Sequence, residues 1–221
     1  MGVTAPITVA IVDDDALVRA GLALILGGAE DISVVAEAAN GKEALGLLRK
    51  HRVDVVLMDI RMPVMDGLEA TAALQAGTDP PAVIVLTTFD ADDYIVRALG
   101  HGASGFLLKD TPPAQIVDAV RKVAGGDPML SPSITVQLIR RVTADGNDDR
   151  LAVARSRLAA LTDREREVAV AVARGESNAE IASALYMSVA TVKAHISRIF
   201  AKAGVHNRVQ IAICVHDAGL V

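Results

Sequence analysis

Five short apolar runs, rich in Val and Ile, alternate with segments of helical period, and this alternation constrains the chain more than any other feature. The runs are Ile7–Val12, Ile32–Ala36, Val53–Met58, Ala82–Leu86 and Gly105–Leu108. Each is too short for a typical helix, and near-continuous apolarity means burial on both faces of a sheet. The helix-period segments that follow them are Ala16–Leu26, Lys42–Lys50, Leu68–Gln75, Asp92–Leu99 and Ala114–Ala124. Strand–helix alternation of this kind predicts a parallel sheet with right-handed crossovers and helices on both faces. Five such units fit an α/β, flavodoxin-like five-stranded sheet of order 2-1-3-4-5, not a barrel of eight.

The pattern changes after Gly125-Gly126-Asp127-Pro128. Ser131–Val142 has the makings of one helix, with Pro132 in its first turn. The small, acidic stretch 144–149 reads as a flexible linker. Beyond Leu151 only helical period remains, and four helices are expected: Asp163–Ala173, Asn178–Leu185, Val189–Ala203 and Asn207–Asp217. The predicted organisation is an α/β domain over 1–125, a partly helical linker over 126–157 and an all-α domain over 158–221.

Charge follows the same division. The chain carries net −5, but residues 1–125 alone carry −7, while 158–221 carry +1. From Val189 onward Lys193, Arg198, Lys202 and Arg208 face one acid, Asp217. An acidic front and a locally basic back imply different partners. Aromatics at 2% disfavour a stacking platform for single strands, and one cysteine, Cys214, excludes a disulfide framework. The five histidines (51, 101, 195, 206 and 216) show no metal-ligand spacing. No apolar run approaches the ~20 residues of a membrane span, and no signal peptide is read, so a cytoplasmic location without membrane association is expected.

The polar residues of the front half stand where the strands stop. Strand one ends in Asp13-Asp14-Asp15, strand three in Asp59, strand four in Thr87-Thr88 and strand five in Lys109. Ligands of doubly wound sheets bind outside the carboxyl ends of the strands, near the switch in strand order. Order 2-1-3-4-5 makes strands one and three neighbours, so Asp13, Asp14 and Asp59 should converge. Three close carboxylates repel one another, and Mg2+ with its oxygen ligands removes the conflict. Lys109 and the Thr87 hydroxyl suit an anion with several oxygens, such as a phosphoryl group, and one carboxylate is available as its nucleophile. Gly100-His101-Gly102-Ala103-Ser104-Gly105 satisfies a dinucleotide fingerprint in letters only. It follows a helix and opens a strand, the reverse of what that motif requires.

Val12-Asp13-Asp14, Leu57 through Pro63, Asp66-Gly67, Leu86-Thr87-Thr88 and Gly105 through Lys109 resemble the receiver domain of bacterial two-component response regulators. The resemblance implies that Asp59 accepts a phosphoryl group from a sensor histidine kinase. It further implies that Asp13, Asp14, Asp59 and the backbone carbonyl of Arg61 hold magnesium. Thr87 and Lys109 would contact the phosphoryl group, and Thr87 with Phe106 would form the switch. Asp110 stands where many receivers have Pro after the lysine.

In the back half Thr162 and Glu165 make a capping box, and Ser177 and Ser188 begin two helices joined by a short turn. The second, Val189–Ala203, carries Lys193, Arg198 and Lys202, the pattern of a helix-turn-helix. Val192, Ile196, Ile199 and Ala203 should face the core, leaving Thr191, Lys193, Ala194, Ser197 and Arg198 outside. Leu161 through Val168, Glu180-Ile181-Ala182, Thr191-Val192-Lys193, His195 and Lys202 through Val205 resemble the LuxR-type DNA-binding domain. With the receiver, this makes the chain similar to the NarL/FixJ class. That resemblance implies a transcription factor in which Thr191, Lys193, Ala194, Ser197, Arg198, Lys202 and Arg208 contact double-stranded DNA at an inverted-repeat operator, as a homodimer formed on phosphorylation. It implies no enzyme beyond self-catalysed phosphorylation and dephosphorylation. Two alternatives are a phosphohydrolase with an aspartyl-phosphate intermediate, using the Asp13/Asp15 spacing, and a regulator controlled without phosphorylation.

Overall fold

The computed structural model describes residues 5–87, 92–130 and 148–221. The predicted helix Ser131–Val142, Thr88 and most of the predicted linker 144–149 lie outside the described residues. Two compact units divide near residue 125, with 129–130 returning to the first.

In the first unit the elements alternate as expected: β1 (Ile7–Val12), α1 (Ala16–Gly27), β2 (Ile32–Ala38), α2 (Gly41–Leu48), β3 (Val55–Asp59), α3 (Gly67–Gln75), β4 (Ala82–Thr87), α4 (Asp92–Gly100), β5 (Gly105–Leu108) and α5 (Pro113–Gly125). All strand pairings are parallel, in the order β2-β1-β3-β4-β5. A sixth strand, β6 (Met129–Leu130), pairs parallel with β5. Sequence patterning assigned this segment to the linker. Two residues carry no readable period, yet they cover the exposed hydrogen-bonding edge of β5.

Alternation along the strands sorts side chains between two layers. Val9, Ile11, Val55, Leu57, Ile84, Leu86 and Leu107 form one core cluster with Leu22 and Leu26 of α1 and Ile116 and Val120 of α5. Val12, Met58, Val85 and Phe106, at the intervening positions, are buried as well. This is why the strands read as unbroken apolar runs. The glycines of the false dinucleotide motif end α4: Gly102 has φ +99, its N–H donates to Leu99, and Ala103 donates to Ala98.

The second unit is all-helical: α6 (Asp148–Ala159), α7 (Asp163–Ala173), α8 (Asn178–Ala184), α9 (Val189–Ala203) and α10 (Arg208–Asp217). Helix α6 extends the unit back into the predicted linker, and its Ala154 and Leu158 join the helical core. That core is completed by Val168 and Val172 of α7, Ile181 of α8, Val192, Ile196 and Ile199 of α9, and Ile211, Cys214 and Val215 of α10. Thr162 and Glu165 form the predicted reciprocal capping box, and Ser177 and Ser188 begin their helices as expected, Ser177 in a second capping box with Glu180. Asn207, read as the first residue of the last helix, is instead the cap of α10. Among the described residues no helix is long and apolar enough to cross a membrane.

Candidate functional site

The strand parity that builds the core also builds the site. Asp13, Asp59 and Lys109 each stand two residues beyond a member of one core cluster, namely Ile11, Leu57 and Leu107. Val12 pairs with Met58, so Asp13 and Asp59 leave the sheet side by side. Carboxylate oxygens of Asp13, Asp14 and Asp59 all lie within 4.8 Å of one another. Asp13 is fully buried and Asp59 nearly so, while Asp14 is exposed.

Lys109 spans the pair. Its Nζ lies 2.7 Å from Asp13 Oδ2 and 3.1 Å from Asp59 Oδ1. The contact with Asp13 Oδ2 is close but poorly aimed, and that oxygen receives no well-directed hydrogen bond. One cation thus serves two buried carboxylates, leaving an incompletely satisfied oxygen beside a third carboxylate. Such a donor set suits a small, hard divalent cation. Burial pushes the Asp59 carboxyl above the usual range, against the opposing pull of Lys109. Burial also draws the Lys109 ammonium down, but its close contacts with the Asp13 and Asp59 carboxylates together outweigh this and hold it above its ordinary value.

Neighbouring segments fix these groups. Asp15 caps α1, accepting from the Leu17 N–H at 2.8 Å, and Asp13 Oδ1 accepts from the Asp15 N–H at 3.0 Å. Asp15 thereby takes a structural role at the start of α1. Arg19 donates to the Asp13 carbonyl at 2.7 Å and clamps the acidic turn from one turn into α1. Sequence reading missed it. The only available signal was a lone cation in a helix that otherwise carries no charge.

After β3 the chain turns sharply. Arg61 is exposed, Val64 has φ +71, and Met65 N–H donates to Pro63 at 2.8 Å. Asp66 caps α3, accepting from Glu69 N–H at 2.8 Å. A Cβ on Gly67 would stand 1.9 Å from the Asp59 carbonyl oxygen, so only glycine lets α3 start this close to the end of β3. Thr87 ends β4, buried, and its carbonyl accepts from Lys109 N–H at 2.8 Å. Phe106 is fully buried and pairs with Val85, which puts it on the same side of the sheet as Thr87.

In the second unit α9 has the predicted polarity. Val192, Ile196, Ile199 and Ala203 are buried, and Thr191, Lys193, Ala194, Ser197 and Arg198 are exposed. Two of the cations expected to contact DNA have partners within the fold. Arg208 is buried at the start of α10, donating to Asn178 Oδ1 at 2.7 Å and to the Glu176 carbonyl. A guanidinium spent on satisfying the buried start of α8 is not presented to a DNA backbone. Lys202 Nζ is held 2.7 Å from Glu165 Oε2, and that carboxylate is buried within the capping box of α7. The hydrogen bond from Lys202, helped by the Thr162 N–H, lowers Glu165 from an ordinary 4.5 to about 2. A buried carboxylate needs such a partner, and Lys202 supplies it while its own side chain stays partly exposed.

Both units match known families. Residues 9–121 match the family described as "Response regulator receiver domain", and residues 159–215 match "Bacterial regulatory proteins, luxR family". The chain is 37% identical over 215 residues to the response regulator protein VraR of Staphylococcus epidermidis, covering 97% of this chain and 99% of that protein. Among solved structures it is similar to the response regulator ChrA of a heme-sensing two-component system (37% identity, TM-score 0.52, 99% of this chain and 100% of that one). It is also similar to the receiver domain of the putative response regulator NarL from Mycobacterium tuberculosis (38% identity, TM-score 0.54, 56% of this chain and 99% of that one).

Proposed function

The chain belongs to the response regulators that join a receiver domain to a LuxR-family DNA-binding domain, a phosphorylation-dependent regulator of transcription, and from that premise we propose how its residues divide the work. Asp59 is the phosphoacceptor. The convergence of Asp13, Asp59 and Lys109 beyond the ends of β1, β3 and β5 carries this reading. A carboxylate oxygen of Asp59 attacks the phosphorus of a phosphohistidine on a sensor kinase, or of a small phosphodonor. The bond from phosphorus to the donor breaks, and its electron pair leaves with the donor, which takes up a proton.

Asp13, Asp14, Asp59 and the Arg61 carbonyl would hold Mg2+, which when bound would neutralise charge on the transferred group. Lys109 is positioned to leave its ion pair and follow a phosphoryl oxygen. The Thr87 hydroxyl donates to another, and Phe106 fills the space behind it. The chain turns over no external substrate; its chemistry is its own phosphorylation and dephosphorylation. Helix α9 enters the major groove of double-stranded DNA, with Lys193 as its main polar base contact. Thr191, Ala194 and Ser197 lie beside it, and Arg198 reaches a phosphate. The chain acts as a homodimer on an inverted repeat.

Incubation with a radiolabelled small phosphodonor and magnesium tests the acceptor. Acid-labile, hydroxylamine-sensitive label is expected on the wild type, lost on chelation and absent from Asp59→Asn. Undiminished label in that variant would refute the assignment.

A further inference from the structure

Helices in this chain end in a repeated way. Gly102, Gly175 and Gly219 follow α4, α7 and α10 at φ +99, +83 and +74. In each case the glycine N–H donates back three residues and the next N–H donates back five. Gly204 closes α9 at φ +63. Glycine belongs at this position because a Cβ in the left-handed region is strained.

Helix α8 closes with the same pair of bonds, Tyr186 to Ser183 at 3.4 Å and Met187 to Ala182 at 2.9 Å. The residue in the left-handed position is Tyr186, at φ +54. Its side chain is 98% exposed. The chain has only two tyrosines in 221 residues, and this one occupies a glycine position while gaining no burial. No packing among the described residues accounts for it.

Its location does. Tyr186 lies in the turn between α8 and α9, two residues before Ser188, the N-cap of α9. Val189, 43% exposed, follows the cap, then exposed Thr191 and Lys193. The N-terminal end of a recognition helix is the part that enters the groove, and the turn leading into it meets the flanking backbone. A phenol donates a hydrogen bond to phosphate oxygens, and its ring covers sugar carbons.

We propose that Tyr186 is a DNA-backbone contact, its hydroxyl donating to a phosphate at the rim of the groove that α9 enters; this rests on the DNA-binding reading of α9. The contact is uncharged and reads no base. It should therefore add affinity to all sequences alike without steepening the salt dependence.

Tyr186→Gly separates fold from function, since it relieves the backbone while deleting the contact. The full chain is titrated against a duplex selected from a random library by the wild type, and against a scrambled duplex, at several salt concentrations. Tyr186→Gly should melt at a higher temperature than wild type yet bind both duplexes about three- to tenfold more weakly, with the same salt slope. Tyr186→Phe should recover only part of the loss. Wild-type affinity in Tyr186→Gly overturns the proposal, as does normal binding with impaired transcription, which would assign the residue to a protein partner. Failure of the wild type itself to prefer its selected duplex would instead overturn the reading of α9.

Discussion

At the scale of single residues, close approach and burial decide what the end of β3 tolerates. Gly67 and Gly46 make a matched pair. Gly67→Ala drives a methyl into the Asp59 carbonyl, an overlap that no rotamer change relieves. The expected cost is roughly 3 kcal/mol or more, with loss of phosphorylation as the end of β3 shifts. Gly46 lies within α2 with nothing near its missing Cβ, so Gly46→Ala should stabilise by about 0.5–1 kcal/mol and leave phosphorylation unchanged. Urea unfolding of the two variants beside wild type measures both. Asp59 itself is a cost to the unliganded fold. Burial raises its carboxyl above the ordinary 3.8, so the unfolded chain releases the proton first and stability falls as pH rises from there. Asp59→Asn should therefore raise the melting temperature at neutral pH without magnesium. The gap should close near pH 3 as wild-type Asp59 protonates. A variant that melts with wild type at neutral pH would show that Lys109 fully offsets the burial.

Among elements, the capping box of α7 also ties down the far end of α9. Glu165 lies low, at about 2, because Lys202 and the Thr162 N–H favour its charged form. A lowered carboxylate contributes stability that is full above its unfolded value near 4.5 and is lost as pH falls toward 2. Lys202→Met should remove most of that acid-limb dependence and cost roughly 1–3 kcal/mol at neutral pH. Its DNA salt slope should stay at the wild-type value; a slope lower by about one would return Lys202 to the phosphate-contacting set. This pair marks a boundary of what sequence makes legible. The capping box was readable because Thr162 and Glu165 are three apart, and the site because Asp13, Asp59 and Lys109 follow apolar runs. Lys202 and Arg208 read only as cations available to DNA, because their partners within the fold, Glu165 and Asn178, lie 37 and 30 residues away. Helix α6 fell within the partly helical linker without bounds of its own: among its described residues Ala154 and Leu158 are the buried ones, too sparse a stripe to delimit a helix. In β6, two residues offer no alternation to find.

For the whole molecule, the question is how a phosphoryl group on one unit alters what the chain binds. Thr87 and Phe106 share a face of the sheet, and the Lys109 N–H bonds the Thr87 carbonyl. A hydroxyl drawn toward a phosphoryl oxygen vacates space beside the ring, and the backbone link moves β4 and β5 together. A shift from 1:99 to 99:1 between two forms needs about 5.5 kcal/mol of differential stabilisation, more than one new hydrogen bond supplies, so Lys109 must contribute as well. The form so favoured is expected to self-associate. On the proposed inverted repeat, two copies of α9 held one helical turn apart would supply affinity that one sparsely charged copy lacks. Thr87→Ala separates the steps, because Asp59 and the acidic cluster remain intact. It should take up label from a small phosphodonor much as wild type does. In sedimentation at matched phosphorylation it should remain largely monomeric, and its binding to an inverted-repeat duplex should match that of the unphosphorylated wild type. Phosphate-dependent dimerisation at the wild-type level in Thr87→Ala would sever this coupling and leave Lys109 as the sole transmitter.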